Sequence, residues 1–217
     1  MNSQQEGSII CPLCLACGAV DYASDRARSY LQCPQCCLVF VTPDQHLSCE
    51  DEKAIYEQHQ NSPDDQNYRR FLSRLTVPLL DRIKPQSQGL DFGCGPGPTL
   101  SIMMAEQGRQ MALYDIYYAD HPLVLQAQYD FITSTEVVEH LSNPNQELGK
   151  LWAMIRPGGY LGLMTKLVID KPSFMGWHYK NDLTHISFFS VATFNYLADI
   201  WDAEVEFIAD DVIIFRK

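Results

Sequence analysis

Leu90-Asp91-Phe92-Gly93-Cys94-Gly95-Pro96-Gly97 stands near the middle of the chain, where a short apolar segment leads into a glycine-rich turn. The apolar residues are typical of a buried strand, and the residues from about Thr99 to Gly108 are predicted to form a helix. Glycines allow the backbone to turn tightly and to approach a ligand where a Cβ would clash. A glycine loop between a strand and a helix therefore predicts a site for a nucleotide-containing cofactor.

Residues 85–217 continue the alternation of strands and helices that begins at this loop. Strands are predicted at 110–114, 129–134 and 160–165, and a helix at 145–155. This order indicates an α/β fold with a mostly parallel sheet. Asp115 ends the second strand, where an acidic side chain can accept the hydroxyl groups of a ribose. The pattern therefore predicts an adenosine-containing cofactor at the carboxyl ends of the strands.

The composition of the loop distinguishes between a cofactor with a pyrophosphate and a cofactor with a cationic amino-acid group. Pro96 and Pro98 have no backbone N–H, so the loop offers fewer donors to a pyrophosphate. Asp91 adds a negative charge beside it, which repels phosphate but attracts a cationic amino-acid group. These features favour a sulfonium cofactor that carries an ammonium group.

Three motifs in order carry a family resemblance over roughly residues 85–170. Residues 90–97 resemble the first motif of class I S-adenosylmethionine-dependent methyltransferases. The segment at 129–141, which contains Glu-Val-Val-Glu-His, resembles that of the ubiquinone-methylase-like branch, and Ile-Arg-Pro-Gly-Gly at 155–159 resembles its Pro-Gly-Gly motif. The resemblance implies a Rossmann-like, seven-stranded, mostly parallel methyltransferase sheet, although the short segment between Asp115 and Tyr129 shows no clear third strand.

The resemblance also implies the cofactor-binding residues. Asp115 would bind the ribose hydroxyls, and Thr135 or Glu136 would form the far wall. The residues expected to line the methionine and ribose portion are Asp91, Gly93, Gly95 and Gly97.

Cysteines are concentrated at the start of the chain, with seven of the eight in the first 49 residues. Two Cys-Pro-x-Cys turns offer Cys11, Cys14, Cys33 and Cys36, and their spacing is typical of a structural four-cysteine zinc site. Cys14 and Cys17 form an alternative first pair. A module this small has few apolar residues, so zinc would supply part of its folding energy. A zinc module before such a domain resembles bacterial methyltransferases that carry an N-terminal zinc ribbon.

The chain is thus expected to have three parts. Residues 1–45 form a zinc-ribbon-like module, residues 46–84 a helical connector or lid, and residues 85–217 a class I methyltransferase domain. The polar N-terminus resembles no signal peptide, and the apolar runs are too short for a membrane span, so a cytoplasmic location is expected. The net charge of −11 makes a nucleic-acid partner unfavourable.

The candidate catalytic bases are histidines. Methyl transfer requires alignment of the reactants and removal of a proton from the acceptor. Residues 177–185 form a loop rich in aromatic and polar side chains, in which His178 or His185 could be the base. His140, in the Glu-Val-Val-Glu-His motif, is a further candidate, and no residue spacing indicates iron, heme or a second metal.

The sequence therefore predicts S-adenosylmethionine-dependent methyl transfer to a small-molecule or carrier-linked metabolite. Two alternatives stay open. One is an rRNA or tRNA methyltransferase, because some relatives of that kind carry N-terminal zinc ribbons. The other is a non-catalytic cofactor-binding module that contacts a protein through its zinc ribbon. The acceptor and the oligomeric state are not indicated by any motif.

Overall fold

The structure is a computed structural model and describes residues 9–58 and 62–217. Short 3₁₀ turns connect several of the elements. In chain order the strands and helices are β1 (Val20–Ser24), β2 (Ser29–Gln32), β3 (Val39–Phe40), α1 (Cys49–Tyr56), α2 (Gln66–Leu80), β4 (Gln88–Phe92), α3 (Thr99–Glu106), β5 (Gln110–Tyr114), β6 (Tyr129–Thr135), α4 (Pro144–Met154), β7 (Ile155–Met164), α5 (Lys171–Met175), β8 (Ser187–Phe188), α6 (Val191–Trp201), β9 (Glu204–Ala209) and β10 (Val212–Arg216).

The larger sheet has the strand order β5-β4-β6-β7-β10-β9. The first four strands are parallel, and β10 runs antiparallel to both β7 and β9. The α/β, Rossmann-like and mostly parallel character is confirmed, but the expected seventh strand is wrong. The segment between β5 and β6 is too short for a strand and a crossover helix. It instead forms a tight Asp115–Ala119 bridge and a 3₁₀ turn at Pro122–Gln126.

Helices cover both faces of this sheet because its inner strands are apolar on both sides. In β10, Val212 and Ile214 join the cluster that contains α2 and α3. Ile213 and Phe215 join the opposite cluster, which contains α4 and α6. The alternation follows the two-residue period of a strand. The core therefore consists of two apolar layers, one on each side of the sheet.

The smaller sheet has the order β1-β2-β3-β8, so the cysteine-bearing segment does not form a sheet by itself. The last strand of the cysteine-bearing segment, β3, pairs with β8, with Val39 opposite Phe188 and Phe40 opposite Ser187. Phe40 and Leu38 also belong to the apolar cluster of α4 and α6. The N-terminal module is therefore packed against the larger sheet's helices and completed by a strand from the C-terminal third.

Two helices connect the sheets. Ser48 caps α1 by accepting the Asp51 N–H, as its position before an acidic first turn predicts. The second helix, α2, packs on the larger sheet, and Arg74 pairs with Asp211. In the described part of the chain, no helix combines the length and apolar character needed to cross a bilayer.

Candidate active site

A cavity of about 800 Å³ opens at the carboxyl ends of β4, β5 and β6. This is the edge at which open parallel sheets place their ligands. Its walls come from the glycine loop, the Asp115–Ala119 bridge, α1, the end of β6 and the loop before β8. Among the residues that line it are Glu52, Tyr56, Asp91, Gly93, Gly95, Asp115, Ile116, Thr135, Glu136, His140, Glu147, Lys150, Asp182 and His185.

Two glycines of the loop have a left-handed backbone. Gly93 has φ +77°, and a Cβ there would lie 2.4 Å from Val137 Cγ2. Gly95 has φ +64° with no atom near a built Cβ, so the cavity reaches the backbone at that point. Both line the cavity. Gly97 lies two residues before α3, where its carbonyl accepts the Thr99 N–H, and is not among the described lining residues.

Asp115 joins the glycine loop to the end of β5. One carboxylate oxygen accepts the Gly95 N–H at 3.0 Å. The other accepts the N–H groups of Tyr117 and Tyr118 at 2.8 and 3.1 Å. An ionised carboxylate has about four acceptor positions, so these contacts leave one directed elsewhere. The side chain is therefore held by the backbone and still able to accept a hydroxyl.

Asp91 is buried, with 3% of its surface exposed, yet it lines the cavity. Its carboxylate accepts hydrogen bonds from Thr133 Oγ1 at 2.9 Å and Ser101 Oγ at 3.0 Å. Burial disfavours the charged form and raises the pKa of Asp91 to about 6. A cationic ligand group at this position would stabilise the carboxylate.

Thr135 and Glu136 line the cavity at the end of β6. Glu136 has φ +53°, an unusual value for a residue with a side chain. Burial, with the nearby charge of Glu139, raises the pKa of Glu136 to about 8. Its Oε1 is buried and has no hydrogen-bond partner within the protein. This polar atom is available to a ligand.

Next to Glu136 is a polar cluster of Glu139, Tyr179 and His185, which are buried, and His140, which is half-buried. Glu139 is fully buried, burial raises its pKa, and Tyr179 donates its hydroxyl to Oε1. His185 Nδ1 lies 2.7 Å from the Tyr179 carbonyl, and His140 Nδ1 lies 3.1 Å from the Thr184 carbonyl. Carbonyl partners favour the proton on Nδ1 and leave Nε2 as the acceptor in the neutral ring.

One ligand atom each from Glu139, His140 and His185 lies within 4.8 Å of the others. One carboxylate and two imidazoles at this spacing could hold a divalent cation. The sequence did not indicate this group, because His185 lies on a loop that is distant in the chain.

The two histidines of the loop before β8 have different positions. His185 is 7% exposed and lines the cavity, and burial lowers its pKa, which favours the neutral ring. His178 is exposed, with Nε2 3.2 Å from Lys166 Nζ, and is not among the described lining residues. The structure therefore brings His140 and His185 to the cavity, but not His178.

Sequence reasoning predicted residues 46–84 as a helical connector or lid but named no residue of α1 as part of the site. Tyr56 donates to Glu52 Oε1 at 2.8 Å, and its ring lies 5.3 Å from that of His140. Tyr117 donates to Glu52 Oε2 at 3.0 Å. A sequence signal for this contact was present, because Tyr56 follows Glu52 by four residues and such a pair lies on one face of a helix.

Four cysteine sulfurs meet in the N-terminal module. Ligand atoms of Cys11, Cys14, Cys33 and Cys36 all lie within 4.8 Å of one another, with pairwise distances of 3.5 Å (Cys11–Cys36) and 3.4 Å (Cys14–Cys33). Zn–S bonds of about 2.3 Å place tetrahedral sulfurs about 3.8 Å apart. The four thiols therefore fit a zinc ion, whereas Cys17 is exposed and outside this cluster.

The mostly parallel sheet and the glycine loop at its carboxyl edge have the architecture of class I S-adenosylmethionine-dependent methyltransferases. Residues 65–205 match the model of a methyltransferase-domain family, and the chain belongs to that family.

Curated relatives match shorter stretches. The biotin biosynthesis bifunctional protein BioCD of Bordetella avium is 30% identical over 128 residues, which are 49% of this chain and 26% of that protein. The ubiquinone biosynthesis O-methyltransferase of Aeromonas salmonicida is 29% identical over 77 residues, 36% of this chain and 32% of the relative. The chain therefore matches only a quarter to a third of the length of these relatives.

Solved structures share the fold at low identity. A methyltransferase from Archaeoglobus fulgidus has a TM-score of 0.55 and 16% identity, covering 76% of this chain and 99% of that one. The 1,6-didemethyltoxoflavin-N1-methyltransferase of Burkholderia thailandensis, with S-adenosylhomocysteine and its acceptor bound, has a TM-score of 0.50 and 14% identity. It covers 92% of this chain and 99% of that one.

Proposed function

We propose that the chain transfers a methyl group from S-adenosylmethionine to a small, uncharged or cationic acceptor. The observation that carries this proposal is the composition of the cavity. The glycine loop and Asp115 line the same space as Tyr56, His140 and His185. A cofactor and a second molecule can therefore meet in one cavity.

The cofactor side suits the chemical groups of S-adenosylmethionine. Asp115 would accept a ribose hydroxyl with its remaining position, and Gly93 and Gly95 would admit the ribose and methionine portions close to the backbone. Asp91 would balance the ammonium group. Thr135 and Glu136 would bound the methionine portion on the far side, and the exposed Ile116 offers apolar surface to the purine.

Charge on the walls supports the acceptor class. Among the described lining residues, acidic side chains outnumber the single lysine, Lys150. Such a cavity repels phosphate and attracts neutral or cationic molecules. This favours a small metabolite over a nucleic acid or a phosphate-bearing carrier. The lining carboxyl groups are Glu52, Asp91, Asp115, Glu147 and Asp182, together with Glu136, whose raised pKa leaves it largely uncharged at neutral pH.

Bound S-adenosylmethionine would supply an electrophilic methyl group, and this chain's residues would align the acceptor and take its proton. We assign the base to Nε2 of His185. The Tyr179 carbonyl holds the proton on Nδ1, and Asp182 Oδ2 lies 3.8 Å from Nε2, where it would stabilise the imidazolium. His140, whose ring lies 4.7 Å away, would orient the acceptor.

Zinc would be structural. Four thiolates at the ends of two turns would close the N-terminal module, which contributes Leu13, Leu38 and Phe40 to the apolar cluster beside α4 and α6. Zinc binding then adds to folding energy rather than to chemistry.

Two measurements test this function. Calorimetry should show S-adenosylhomocysteine binding, and a S-adenosylmethionine consumption assay should give turnover with pooled small amines and hydroxyl compounds but not with tRNA or rRNA. Turnover with RNA alone would support the RNA methyltransferase alternative. Cofactor binding without consumption in any pool would support a non-catalytic module.

A further inference from the structure

Arg28 lies between the two cysteine turns, immediately before β2, yet its guanidinium donates hydrogen bonds to four carbonyls of a distant loop. Nη1 donates to the carbonyls of Leu183 and His185 at 3.0 and 2.9 Å. Nη2 donates to the carbonyls of Lys180 and Asp182. The residue is only 5% exposed. One buried cation thus contacts four carbonyls of residues 180–185.

Carbonyl oxygens that converge on one point repel one another unless a cation lies between them. A guanidinium fits this role because it is planar, always charged and carries five N–H donors. Bonds from a charged donor in a buried position are also stronger than those between neutral groups. The path of residues 180–185 therefore depends on Arg28.

Other contacts attach the same loop to the same module. Asp25, which precedes Arg28 in the β1–β2 turn, pairs with Lys180 at 2.6 Å. Tyr30 donates its hydroxyl to Asp25 at 2.9 Å. The Val41 N–H donates to the Ile186 carbonyl at 2.9 Å. The loop is thus held at both ends by the cysteine-bearing module.

This loop carries two residues of the cavity wall, Asp182 and His185, whereas the proposed cofactor residues lie on β4, β5, β6 and the loops that follow them. A shift of the loop would move the proposed base and leave the cofactor contacts in place. The module is therefore coupled to one side of the cavity.

We propose that Arg28 is a positioning residue, through which the N-terminal cysteine module sets the place of His185 and Asp182 against the acceptor. The inference rests on the proposed function for its consequence in turnover, but its structural part is measurable without an acceptor. It assigns the module a role in acceptor alignment beyond stability.

The test compares Arg28→Met and Arg28→Lys with Arg26→Met, because Arg26 is an exposed arginine two residues away. Hydrogen–deuterium exchange of residues 180–186 should accelerate at least tenfold in Arg28→Met, less in Arg28→Lys, and stay unchanged in Arg26→Met. Exchange in β4 and β6 and the Kd for S-adenosylhomocysteine should stay within about twofold of wild type. With the acceptor that the pooled assay identifies, turnover should decrease in the variants in which exchange of residues 180–186 accelerates.

Unchanged exchange of residues 180–186 in both Arg28 variants would overturn the proposal. So would a uniform acceleration across β4, β6 and the loop in Arg28→Lys, because that result marks Arg28 as merely structural. If Arg28→Met does not fold, Arg28→Lys decides by the same criteria. Failure of wild-type protein to bind S-adenosylhomocysteine would instead contradict the proposed function, since the exchange measurement does not depend on it.

Discussion

The Asp115 carboxylate accepts the backbone N–H of Gly95 at 3.0 Å, so one side chain joins the end of β5 to the loop after β4. In this arrangement the group proposed to bind the ribose also holds the loop that the ribose would face. A change at Asp115 therefore acts on the cofactor directly and through the shape of the loop.

Replacement of Asp115 by alanine should weaken S-adenosylhomocysteine binding. A hydrogen bond to a charged group is worth about 1.5–3 kcal/mol, which corresponds to roughly a 10- to 150-fold rise in Kd. Isothermal titration calorimetry measures it. Asp120→Ala is the matched control, because Asp120 is exposed and lies on the same connection. Equal Kd values for the two variants would remove Asp115 from the ribose role.

Cofactor binding should depend on pH through Asp91. The pKa of this carboxyl is about 6, and only its charged form attracts an ammonium group. Binding of S-adenosylhomocysteine should therefore strengthen as pH rises from 5 to 7. Titrations in Asp91→Asn should lose this dependence, and a wild-type Kd that is constant over the range would contradict the assignment.

The same carboxyl should affect stability in the opposite direction when no ligand is bound. Its pKa is raised above the ordinary Asp value of 3.8, so the folded protein holds the proton more tightly than the unfolded chain. The free energy of unfolding from this group should fall as pH rises from about 4 to 6, by about 3 kcal/mol. Urea denaturation at several pH values, with Asp91→Asn as reference, measures this contribution.

Zinc content should depend on the four clustered cysteines. Freshly reduced protein should contain about one zinc per chain, and Cys33→Ser should lose it and lower the melting temperature. Cys17→Ser should retain it, because Cys17 is exposed and outside the cluster. Elemental analysis distinguishes these outcomes. Metal loss from Cys17→Ser instead would select the alternative cysteine pair.

His185 should be more important for turnover than His178. In His185→Asn, the amide can keep the hydrogen bond to the Tyr179 carbonyl while the Nε2 base is lost. Turnover should then fall by roughly 10²–10⁴ with little change in cofactor Kd. His178→Asn is the control and should remain near wild type, because His178 lies at the surface beside Lys166. The reverse order of effects would move the base to His178.

Local sequence patterns predicted the parts of the site that lie close together in the chain. Asp91 lies in β4, Gly93 and Gly95 follow it, and Asp115 follows β5, so parallel pairing alone brings them together. The missing seventh strand was less predictable. The sequence showed only that the segment between Asp115 and Tyr129 is short. In the fold, this segment forms the Asp115–Ala119 bridge instead of a strand.

Long-range contacts account for what sequence reasoning missed. The approach of Tyr56 to His140, and of Arg28 to the carbonyls of residues 180–185, depends on how separate elements pack. Neither hydrophobic periodicity nor residue spacing predicts contacts between residues so far apart in the sequence. His178 and His185 were equivalent candidates for the same reason, since only the path of the loop separates them.

The pairing of β3 with β8 also has a consequence for protein synthesis. While the chain is being translated, Val39 and Phe40 emerge long before Ser187 and Phe188, so β3 has an open edge until the C-terminal third leaves the ribosome. An unpaired apolar edge is a template for intermolecular strand pairing. Prematurely terminated chains that lack β8 are therefore expected to aggregate through the cysteine-bearing sheet.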